Sequence, residues 1–542
     1  MTRDAYDAVV IGAGPNGLVA ANALLDKRWS VLVLEAQPEV GGAVRSDEDV
    51  HPGFVHDTFS AFYPLAAASP TLQALHLENY GLRWVHAPAV LGHPQQDGSW
   101  AMLHRDRQIT AALMDEQYPG DGATWIEMCE EWDRIGDQLV GALVSPFPPV
   151  RHGIAALLRL RSVGGLGFVR SLLSPAVELG RSRFGGESPR LMLAGNAGHS
   201  DIPLDAAGSG LMGLLLVMLG QAVGFPVPEG GAGNLTCALA RRIESLDGEI
   251  RCSSPVVRIV VDSGRATGVR TDDGEQVTAL RAVVADVVAP HLYGRLLRDE
   301  DVPARTAQAM KHFQIDPSTV KVDWALDRPV PWASSPPHAP GTIHLADSVD
   351  QMTEALSQVA AHAIPARPFM LAGQMTTADP TRSPAGTESL WAYTHVPQQA
   401  TRDAGEENIR GVWDGDDLER FADRMQARFE DLAPGFGARV VARRVLGPRE
   451  MEARDANLLG GAVNGGTAQL HQELIFRPVP GLGRSETRIK NLYLGSASAH
   501  PGGGVHGACG MNAARAAVAH ARADRLLSAP RSLRPNRPSP RK

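Results

Sequence analysis

The first 35 residues carry the clearest hydrophobic pattern of the chain. A β-branched run at 8–11 predicts a buried strand, because short apolar runs of this kind fill the interior of a sheet. A helical repeat of apolar residues follows as far as Lys27, and a second apolar run at 31–34 predicts another strand. The order of strand, helix and strand predicts a βαβ unit.

The turn between the first strand and the helix has the spacing Gly12-x-Gly14-x-x-Gly17, and the second strand ends in Glu35. Gly12 would make the tight turn, Gly14 would let a pyrophosphate approach the backbone, and Gly17 would let helix and strand pack closely. The helix N-terminus would offer free N–H groups to the phosphates. Glu35 would accept hydrogen bonds from ribose hydroxyls. The pattern predicts a nucleotide cofactor, with a purely structural turn as the alternative.

Arg28 departs from this pattern, because a glycine commonly ends the helix at that point. A residue with a side chain costs about 1 kcal/mol in the left-handed conformation of such a helix end. We therefore expect the loop after the helix to have a different shape.

The residues after Glu35 indicate which nucleotide binds. The pair Gly41-Gly42, with Arg45 shortly after it, is typical of flavoproteins, because the glycines bring backbone near a pyrophosphate and the arginine can pair with it. The Gly12 fingerprint occurs once, so a second domain for NAD(P)H is not supported. These features predict FAD and an oxidase or dehydrogenase that passes electrons to oxygen, a quinone or another carrier.

A glycine turn, an amphipathic helix and several strands follow one another between residues 229 and 285. This pattern indicates that the chain returns there to the nucleotide-binding domain. The backbone of Val256 and Val257 is placed to contact the adenine, and Val257 is the predicted contact. An ordinary β-meander without a ligand is the alternative.

The composition limits the number of domains and the classes of partner, but it does not indicate a function. The chain has 542 residues with 44% hydrophobic content, which is more than one core normally holds, so two or three domains are expected. A net charge of −8 without a dense basic stretch argues against nucleic acid as a partner. The four cysteines are far apart, which predicts neither a zinc ribbon nor a dithiol centre and suits a reducing cytoplasm. No signal peptide is visible at the start of this sequence.

Two segments of the less patterned lobe stand out. Residues 206–228 are uncharged, but glycines, a glutamine and two prolines interrupt them, so we predict a buried helix or cavity wall rather than a membrane span or an interfacial patch. Residues 151–190 mix seven arginines and two glutamates with leucine pairs. We interpret this segment as a solvated amphipathic face, and contact with an anionic membrane surface is the alternative.

The C-terminal segment 491–517 repeats the order of strand, glycine turn and helix. Ser496 follows the strand, and the turn Gly502-Gly503-Gly504-Val505 comes before the helix. A helix N-terminus at this point would stabilise negative charge on a reduced flavin. The two glycine turns are therefore predicted to contact the two ends of one FAD.

These motifs together resemble the phytoene desaturase-related flavoproteins, a group that includes carotenoid desaturases, desaturase-like β-carotene ketolases and the pyridine nucleotide-disulphide oxidoreductase domain-containing proteins. The resemblance runs from the first residues to about residue 525 and rests on six stretches: VVIGAGPNGLVAA, LEAQPEVGGAVRS, GFVHDTFS, EGGAGNLTCAL, LIFRP and LYLGSASAHPGGGVHG.

The resemblance implies an α/β protein with a discontinuous Rossmann FAD domain of the glutathione reductase type and an inserted α+β substrate lobe. The FAD domain would comprise residues 1–75, 226–295 and 456–527, and the lobe residues 76–225 and 296–455. The basic, proline-rich tail, 528–542, is predicted to be disordered.

The resemblance also implies hydride transfer from a C–H bond to flavin N5, often on a hydrophobic substrate. By matching motifs, it assigns FAD contacts to Gly12, Gly14, Gly17, Glu35, Arg45, Val257 and the turn 502–505. Relatives often have a histidine at the position of Asn464 and an acid at the position of His471. These two departures leave the substrate open.

Hydride transfer to a flavin depends on orientation and a dry site more than on a strong base. A base is needed only where the neighbouring carbon loses a proton. The candidates for this role are His500, Asp57 and Gln472, followed by His506 and His471. The candidates for substrate binding are Arg477 and His471, although Arg477 could instead support its own loop. Cys509 could attach a flavin covalently or simply pack in its helix.

Three functions are compatible with these features. The first is an FAD-dependent desaturase or dehydrogenase that acts on a lipophilic small molecule. The second is ketolation, amine oxidation or isomerisation on the same scaffold. The third is a flavin-bound regulatory or partner-binding protein with little turnover. A cytoplasmic protein, with or without peripheral membrane contact, is expected.

Overall fold

The structure is a computed structural model that describes residues 4–528. Its strands are β1 (Ala5–Ile11), β2 (Val31–Leu34), β3 (Ser46–Asp47), β4 (His56–Asp57), β5 (Trp84–Val85), β6 (Ala89–Pro94), β7 (Trp100–Leu103), β8 (Val227–Pro228), β9 (Glu249–Arg251), β10 (Val256–Asp262), β11 (Arg265–Thr271), β12 (Gln276–Ala285), β13 (Ser318–Leu326), β14 (Pro340–Leu345), β15 (Ala363–Ile364), β16 (Met370–Gln374), β17 (Glu388–Val396), β18 (Arg402–Asp403), β19 (Val440–Leu446) and β20 (Leu492–Leu494).

The helices connect these strands and cover their sheets. They are α1 (Pro15–Leu25), α2 (Pro64–Ala68), α3 (Pro70–Gln73), α4 (Arg107–Gln117), α5 (Asp121–Val144), α6 (Val150–Arg159), α7 (Leu166–Leu173), α8 (Ala176–Arg183), α9 (Glu187–Ala197), α10 (Ser209–Val223), α11 (Gly233–Ser245), α12 (Ala289–His291), α13 (Ala304–Met310), α14 (Val349–Ala360), α15 (Met375–Ala378), α16 (Gly415–Leu432), α17 (Pro448–Arg454) and α18 (Ala508–Ser528).

The first sheet has the order β10-β11-β12-β1-β2-β9, and β20 pairs with the end of β12. Strands β9, β2, β1, β12 and β20 run parallel, and β10 and β11 form an antiparallel meander beside them. Helices α1, α11 and α18 pack on this sheet. The central strands β1 and β2 are buried on both faces, which explains their continuous apolar runs. The predicted βαβ unit at the start of the chain is confirmed.

The second sheet has the order β19-β13-β17-β16-β14-β6-β7. One of its faces packs on α16 through Val320, Val322 and Trp324 of β13. The other face carries the alternate residues of the same strand, Thr319 and Lys321, and these line a cavity. The fold is therefore mixed α/β with one Rossmann-like sheet. The predicted domain boundaries stay predictions.

Two expectations about single segments have clear outcomes. Arg28 adopts the left-handed conformation, with φ of +59°, so the prediction of a differently shaped loop was wrong. The apolar stretch 206–228 contains α10, a buried helix whose side chains line the cavity, as predicted. Among residues 4–528, no helix combines the length and apolar composition that a membrane crossing requires. The predicted disordered tail, 528–542, lies outside the described residues apart from the last helical residue at 528.

Candidate active site

Close packing requires glycine in the turn after β1. Gly12 has φ of +94°. A Cβ at Gly17 would overlap the carbonyl oxygen of Gly12, and a Cβ at Gly14 would lie 2.9 Å from Oδ2 of Asp286. The turn therefore presents bare backbone at the N-terminus of α1, where an anion is stabilised by free N–H groups.

Glu35 is held in one position at the end of β2. Its Oε2 accepts a hydrogen bond from the backbone N–H of Ala13 at 2.6 Å, and its Oε1 accepts one from Gln37 at 2.8 Å. The backbone N–H of Ser254 donates to the carbonyl oxygen of Glu35 at 2.8 Å, so the chain entering β10 passes beside this acid. Val257, the predicted adenine contact, is 46% exposed and free to meet a ligand.

The second glycine pair lies directly against the first turn. Gly41 donates its N–H to the carbonyl oxygen of Ala13 at 2.9 Å, and a Cβ at Gly42 would lie 3.1 Å from Cα of Gly14. Arg45 donates from Nη2 to the carbonyl oxygen of Arg454 at 2.9 Å. Its buried Nε has no hydrogen-bond partner within the described chain. A guanidinium with a spare N–H beside a side-chain-free cradle suits a pyrophosphate, so these residues fit FAD.

Two buried carboxyl groups next to this cradle were missed by the sequence reasoning. Asp286, directly after β12, accepts a hydrogen bond from the backbone N–H of Gly17 at 2.7 Å. Burial raises the pKa of Asp286 to about 8 and also raises the pKa of Asp455. Asp286 therefore favours the neutral form near neutral pH. The signal for Asp286 was its position at the carboxyl end of a strand parallel to β1.

The C-terminal glycine turn reaches the same region. A Cβ at Gly510 would overlap the carbonyl oxygen of Asn16, and one at Gly507 would lie 2.8 Å from Val19, so the start of α18 crosses the start of α1. Gly502 and Gly504 have φ of +106° and +119°. The hydroxyl of Ser496 donates to the carbonyl oxygen of Val287 at 2.7 Å and thereby ties β20 to β12.

A cavity of about 440 Å³ separates this turn from the second sheet. The turn contributes residues 500, 501 and 503–506, and the sheet contributes the same-face residues Thr319, Lys321, Thr342, Leu371, Trp391 and Tyr393. Most of the remaining wall is apolar, and it comes largely from the segment 59–65, the end of α5, one side of α10 and the segment 463–477. The cavity is of the size and composition that bind small apolar molecules.

The charged groups in the cavity wall are paired within the protein. Lys321 forms an ion pair with Asp323 and donates to the carbonyl oxygen of Asp57 at 3.0 Å, and burial lowers its pKa. Among residues 4–528, Glu473 is the only acidic side chain in the wall, and it pairs with Arg477 at 2.6 Å. Burial raises the pKa of Glu473 to about 7.

Of the candidate bases, His500 and His506 line the cavity. His500 contacts the carbonyl oxygen of Ser145 through Nε2 at 3.0 Å, and its buried Nδ1 has no partner among residues 4–528. Burial lowers the pKa of His500 and lowers the pKa of His506 to about 4. The Nδ1 atom of His506 accepts the N–H of Ala508 at 3.0 Å. Both imidazoles are therefore neutral near neutral pH.

Asp57 is not at the cavity wall, which corrects its proposed role as a base. It is fully buried and forms a two-pronged ion pair with Arg382, at 2.9 and 3.0 Å. It also accepts the N–H of Ala232 at 2.8 Å and the hydroxyl of Ser46 at 2.7 Å. A carboxylate with these partners is a structural link rather than a free proton acceptor.

Gln472 and His471 also lie outside the cavity wall. Gln472 accepts the N–H of Gln314 and donates to its carbonyl oxygen, both at 2.8 Å. The Nε2 atom of His471 lies 3.0 Å from Oε1 of Gln314. The geometry gives no support to a catalytic role for Gln472 or a substrate-binding role for His471.

Arg477 lies at the cavity wall, yet its guanidinium is used by its own loop. It donates to the carbonyl oxygens of Ala497, Thr467 and Asn464 at 2.8–2.9 Å. The alternative of loop support therefore describes Arg477 better than substrate anchoring.

Burial raises the pKa of Cys509 to about 12, so this residue packs as a neutral thiol.

The chain is similar to several known proteins. Residues 10–76 match the NAD(P)-binding Rossmann-like domain, and residues 160–393 match the flavin containing amine oxidoreductases. Pyridine nucleotide-disulfide oxidoreductase domain-containing protein 2 of Mus musculus is 29% identical, over 94% of this chain and 92% of that protein. The neurosporene-forming phytoene desaturase of Cereibacter sphaeroides is 25% identical, over 99% and 98%. A putrescine oxidase variant shares the fold, with a TM-score of 0.58 and 18% identity over 96% and 99%.

Proposed function

We propose that this chain, an FAD-dependent oxidoreductase whose residues 160–393 match the flavin containing amine oxidoreductases, removes a hydride from a C–H bond of a lipophilic small molecule. The similarities confirm the predicted kinship with phytoene desaturases and the predicted FAD. The observation that carries the proposal is the cavity beside the C-terminal glycine turn, whose wall is mainly apolar and whose one carboxylate is already paired with Arg477.

When bound, FAD supplies a two-electron acceptor for the hydride, and oxygen, a quinone or another carrier takes the electrons onward. The protein contributes orientation and the exclusion of water. The side chains of Leu211, Leu215 and Leu216 on α10 and of Phe59 and Phe62 form apolar walls that desolvate a reacting C–H bond. No charged group of the described wall is left unpaired to attract water.

Two hydroxyl groups on the sheet side can recognise polar atoms of the substrate. The side-chain oxygens of Thr319 and Thr342 are buried and have no hydrogen-bond partner within residues 4–528. Strands β17 and β16 separate them in the sheet, so they would contact different parts of one molecule. We therefore favour a lipophilic substrate with polar groups over a pure hydrocarbon, since an unmet buried hydroxyl costs free energy.

A base is available where the neighbouring carbon must lose a proton. His500 is neutral and lines the cavity, and its Nδ1 has no hydrogen-bond partner among residues 4–528. It is our candidate for accepting that proton. The His500→Gln variant should keep its bound FAD and lose turnover.

Amine oxidation is less well supported than C–C desaturation or dehydrogenation. The Nζ atom of Lys321 lies 5.8 Å from the ring centre of Trp391, so a cation already occupies this aromatic surface. The rings of Trp391 and Tyr393 stack on each other at 6.0 Å and leave no gap for an ammonium group. The described wall offers no free carboxylate to such a group.

The test is anaerobic reduction of the bound flavin by a panel of lipophilic alcohols, terpenoids and carotenoids. We expect bleaching of the flavin absorption and a product lighter by two hydrogen atoms. A product that gains oxygen would indicate ketolation, and one of unchanged mass would indicate isomerisation. Met212→Trp places a larger side chain in the cavity and should abolish bleaching. Leu280→Trp, at an exposed position of β12, should not. A flavin that no member of the panel bleaches would favour the regulatory alternative.

A further inference from the structure

Helix α6 turns its apolar side outward. Val150, Ile154, Leu157 and Leu158 are spaced along one side of the helix, and they are 62%, 55%, 68% and 78% exposed. No residue of α6 is buried. An amphipathic helix of a globular protein normally packs this side against the core, so the orientation of α6 is unusual and indicates an external apolar partner.

Helix α7, the next helix along the chain, also exposes apolar side chains. Leu166 and Leu173 are 82% and 56% exposed, and the opposite side of the helix inserts Phe168 into the core at 3% exposure. The pair Gly164-Gly165 joins the two helical segments. We name the six exposed side chains of Val150, Ile154, Leu157, Leu158, Leu166 and Leu173 the α6–α7 surface. Because α7 is anchored, the surface is part of the folded structure.

The segment that carries the α6–α7 surface is positively charged. Residues 150–173 contain four arginines, at 151, 159, 161 and 170, and neither aspartate nor glutamate. In the described structure, Arg151, Arg161 and Arg170 form no ion pair within the chain, and all three are exposed. An apolar patch bordered by free guanidinium groups suits a partner that is apolar inside and negatively charged at its surface.

The α6–α7 surface reaches the edge of the cavity. The N–H of Gly208, a cavity residue, donates to the carbonyl oxygen of Leu173 at 3.2 Å. A Cβ at Gly208 would lie 3.1 Å from Leu470. Leu470 and Leu474 line the cavity and are also 44% and 42% exposed. Apolar side chains therefore continue from the surface to the cavity wall.

We propose that the α6–α7 surface binds an anionic lipid bilayer and holds the cavity edge at the membrane, where lipophilic molecules are dissolved. The second half of this inference rests on the proposed function, and the first half does not. A second copy of the chain is disfavoured as the occupant, because two basic surfaces would then face each other.

The test measures binding of the full FAD-loaded chain to vesicles, without any substrate. We expect co-sedimentation with vesicles of equimolar phosphatidylcholine and phosphatidylglycerol, and much weaker co-sedimentation with phosphatidylcholine alone. The double variant Leu157→Ser/Leu158→Ser should lower the partition coefficient by at least about tenfold. Arg161→Ala/Arg170→Ala should lower it less and reduce its salt dependence.

Leu280→Ser is the matched control, since Leu280 is 60% exposed on the first sheet. It should bind vesicles like the unmodified chain, and all variants should keep the flavin spectrum and the melting temperature. Equal binding by the leucine double variant, or no binding by the unmodified chain, would overturn the proposal. So would a dimer in solution that Leu157→Ser/Leu158→Ser dissociates. Failure of vesicle binding leaves flavin bleaching unaffected, so the two proposals fail separately.

Discussion

The two seven-stranded sheets bury their strands in opposite ways. In the first sheet, β2 has the sequence VLVL and is apolar on both faces, because helices and the β-meander cover it. In the second sheet, β13 is also buried along its whole length, yet it alternates apolar residues with Thr319, Lys321 and Asp323. The strands of the two sheets are therefore buried by different surroundings. The first sheet is filled with side chains, and the second keeps one polar face beside a cavity.

This difference assigns the two sheets different tasks. The first sheet needs close backbone approach, so its key residues are glycines and the acids beside them. The second sheet needs buried polar groups held away from water, so its key residues are paired charges and unpaired hydroxyls. The following variants test the close packing of the first sheet and the buried polar pairs, in order of decreasing effect.

Gly17→Ala should have the largest effect, because its Cβ would overlap the carbonyl oxygen of Gly12. We expect complete loss of bound FAD, and the ratio of flavin absorbance to protein absorbance measures this. Gly167→Ala is the control, since a Cβ at Gly167 meets no atom within 4 Å. A Gly17→Ala protein with a full complement of FAD would contradict the close packing described for the first sheet.

Asp57→Ala should be the next most disruptive change, because it leaves Arg382 buried without its two-pronged partner. Removal of one member of a buried ion pair costs about 3–5 kcal/mol. Urea unfolding measures this cost. The double variant Asp57→Leu/Arg382→Met should recover most of the stability. If Asp57→Ala instead kept its stability and lost turnover alone, Asp57 would be catalytic and our structural assignment would be wrong.

Asp286→Asn should change how stability depends on pH. The folded pKa of Asp286 is raised to about 8 by burial, so the stability it contributes is full below its unfolded pKa near 4 and is lost as the pH rises toward 8. Within that window the slope is about 1.4 kcal/mol per pH unit. The difference in urea midpoint between wild type and Asp286→Asn should therefore grow in favour of the variant from pH 5 to pH 7.5. A constant difference would show that Asp286 does not titrate there.

Arg28→Gly should have the smallest effect. Arg28 has φ of +59°, and glycine adopts this conformation without a Cβ penalty, so we expect a gain below about 1 kcal/mol. The melting temperature is the measurement, and Arg28→Ala, which keeps the penalty, is the control. Equal melting temperatures for the two variants would show that the loop carries no strain.

Much of the first sheet could be predicted from the sequence. The βαβ unit, the second glycine pair and the return of the chain at 249–285 all follow from local patterns, because each feature depends on residues a few positions apart. The sequence did not show whether the apolar side of α6 faces the core or the solvent, because the helical periodicity is the same in both cases. The bases were predicted less well, and Asp57, Gln472 and His471 lie outside the cavity wall.

The sequence by itself determined the nucleotide-binding unit and the cofactor, because the glycine spacing and the acid at the end of β2 act within one continuous segment. Only the tertiary structure decided which residues from distant parts of the chain form the buried polar pairs. Asp57 and Arg382 are 325 positions apart, and Asp286 reaches Gly17 across 269 positions. Such pairs depend on which strands and turns the fold brings side by side, and no local pattern records that arrangement.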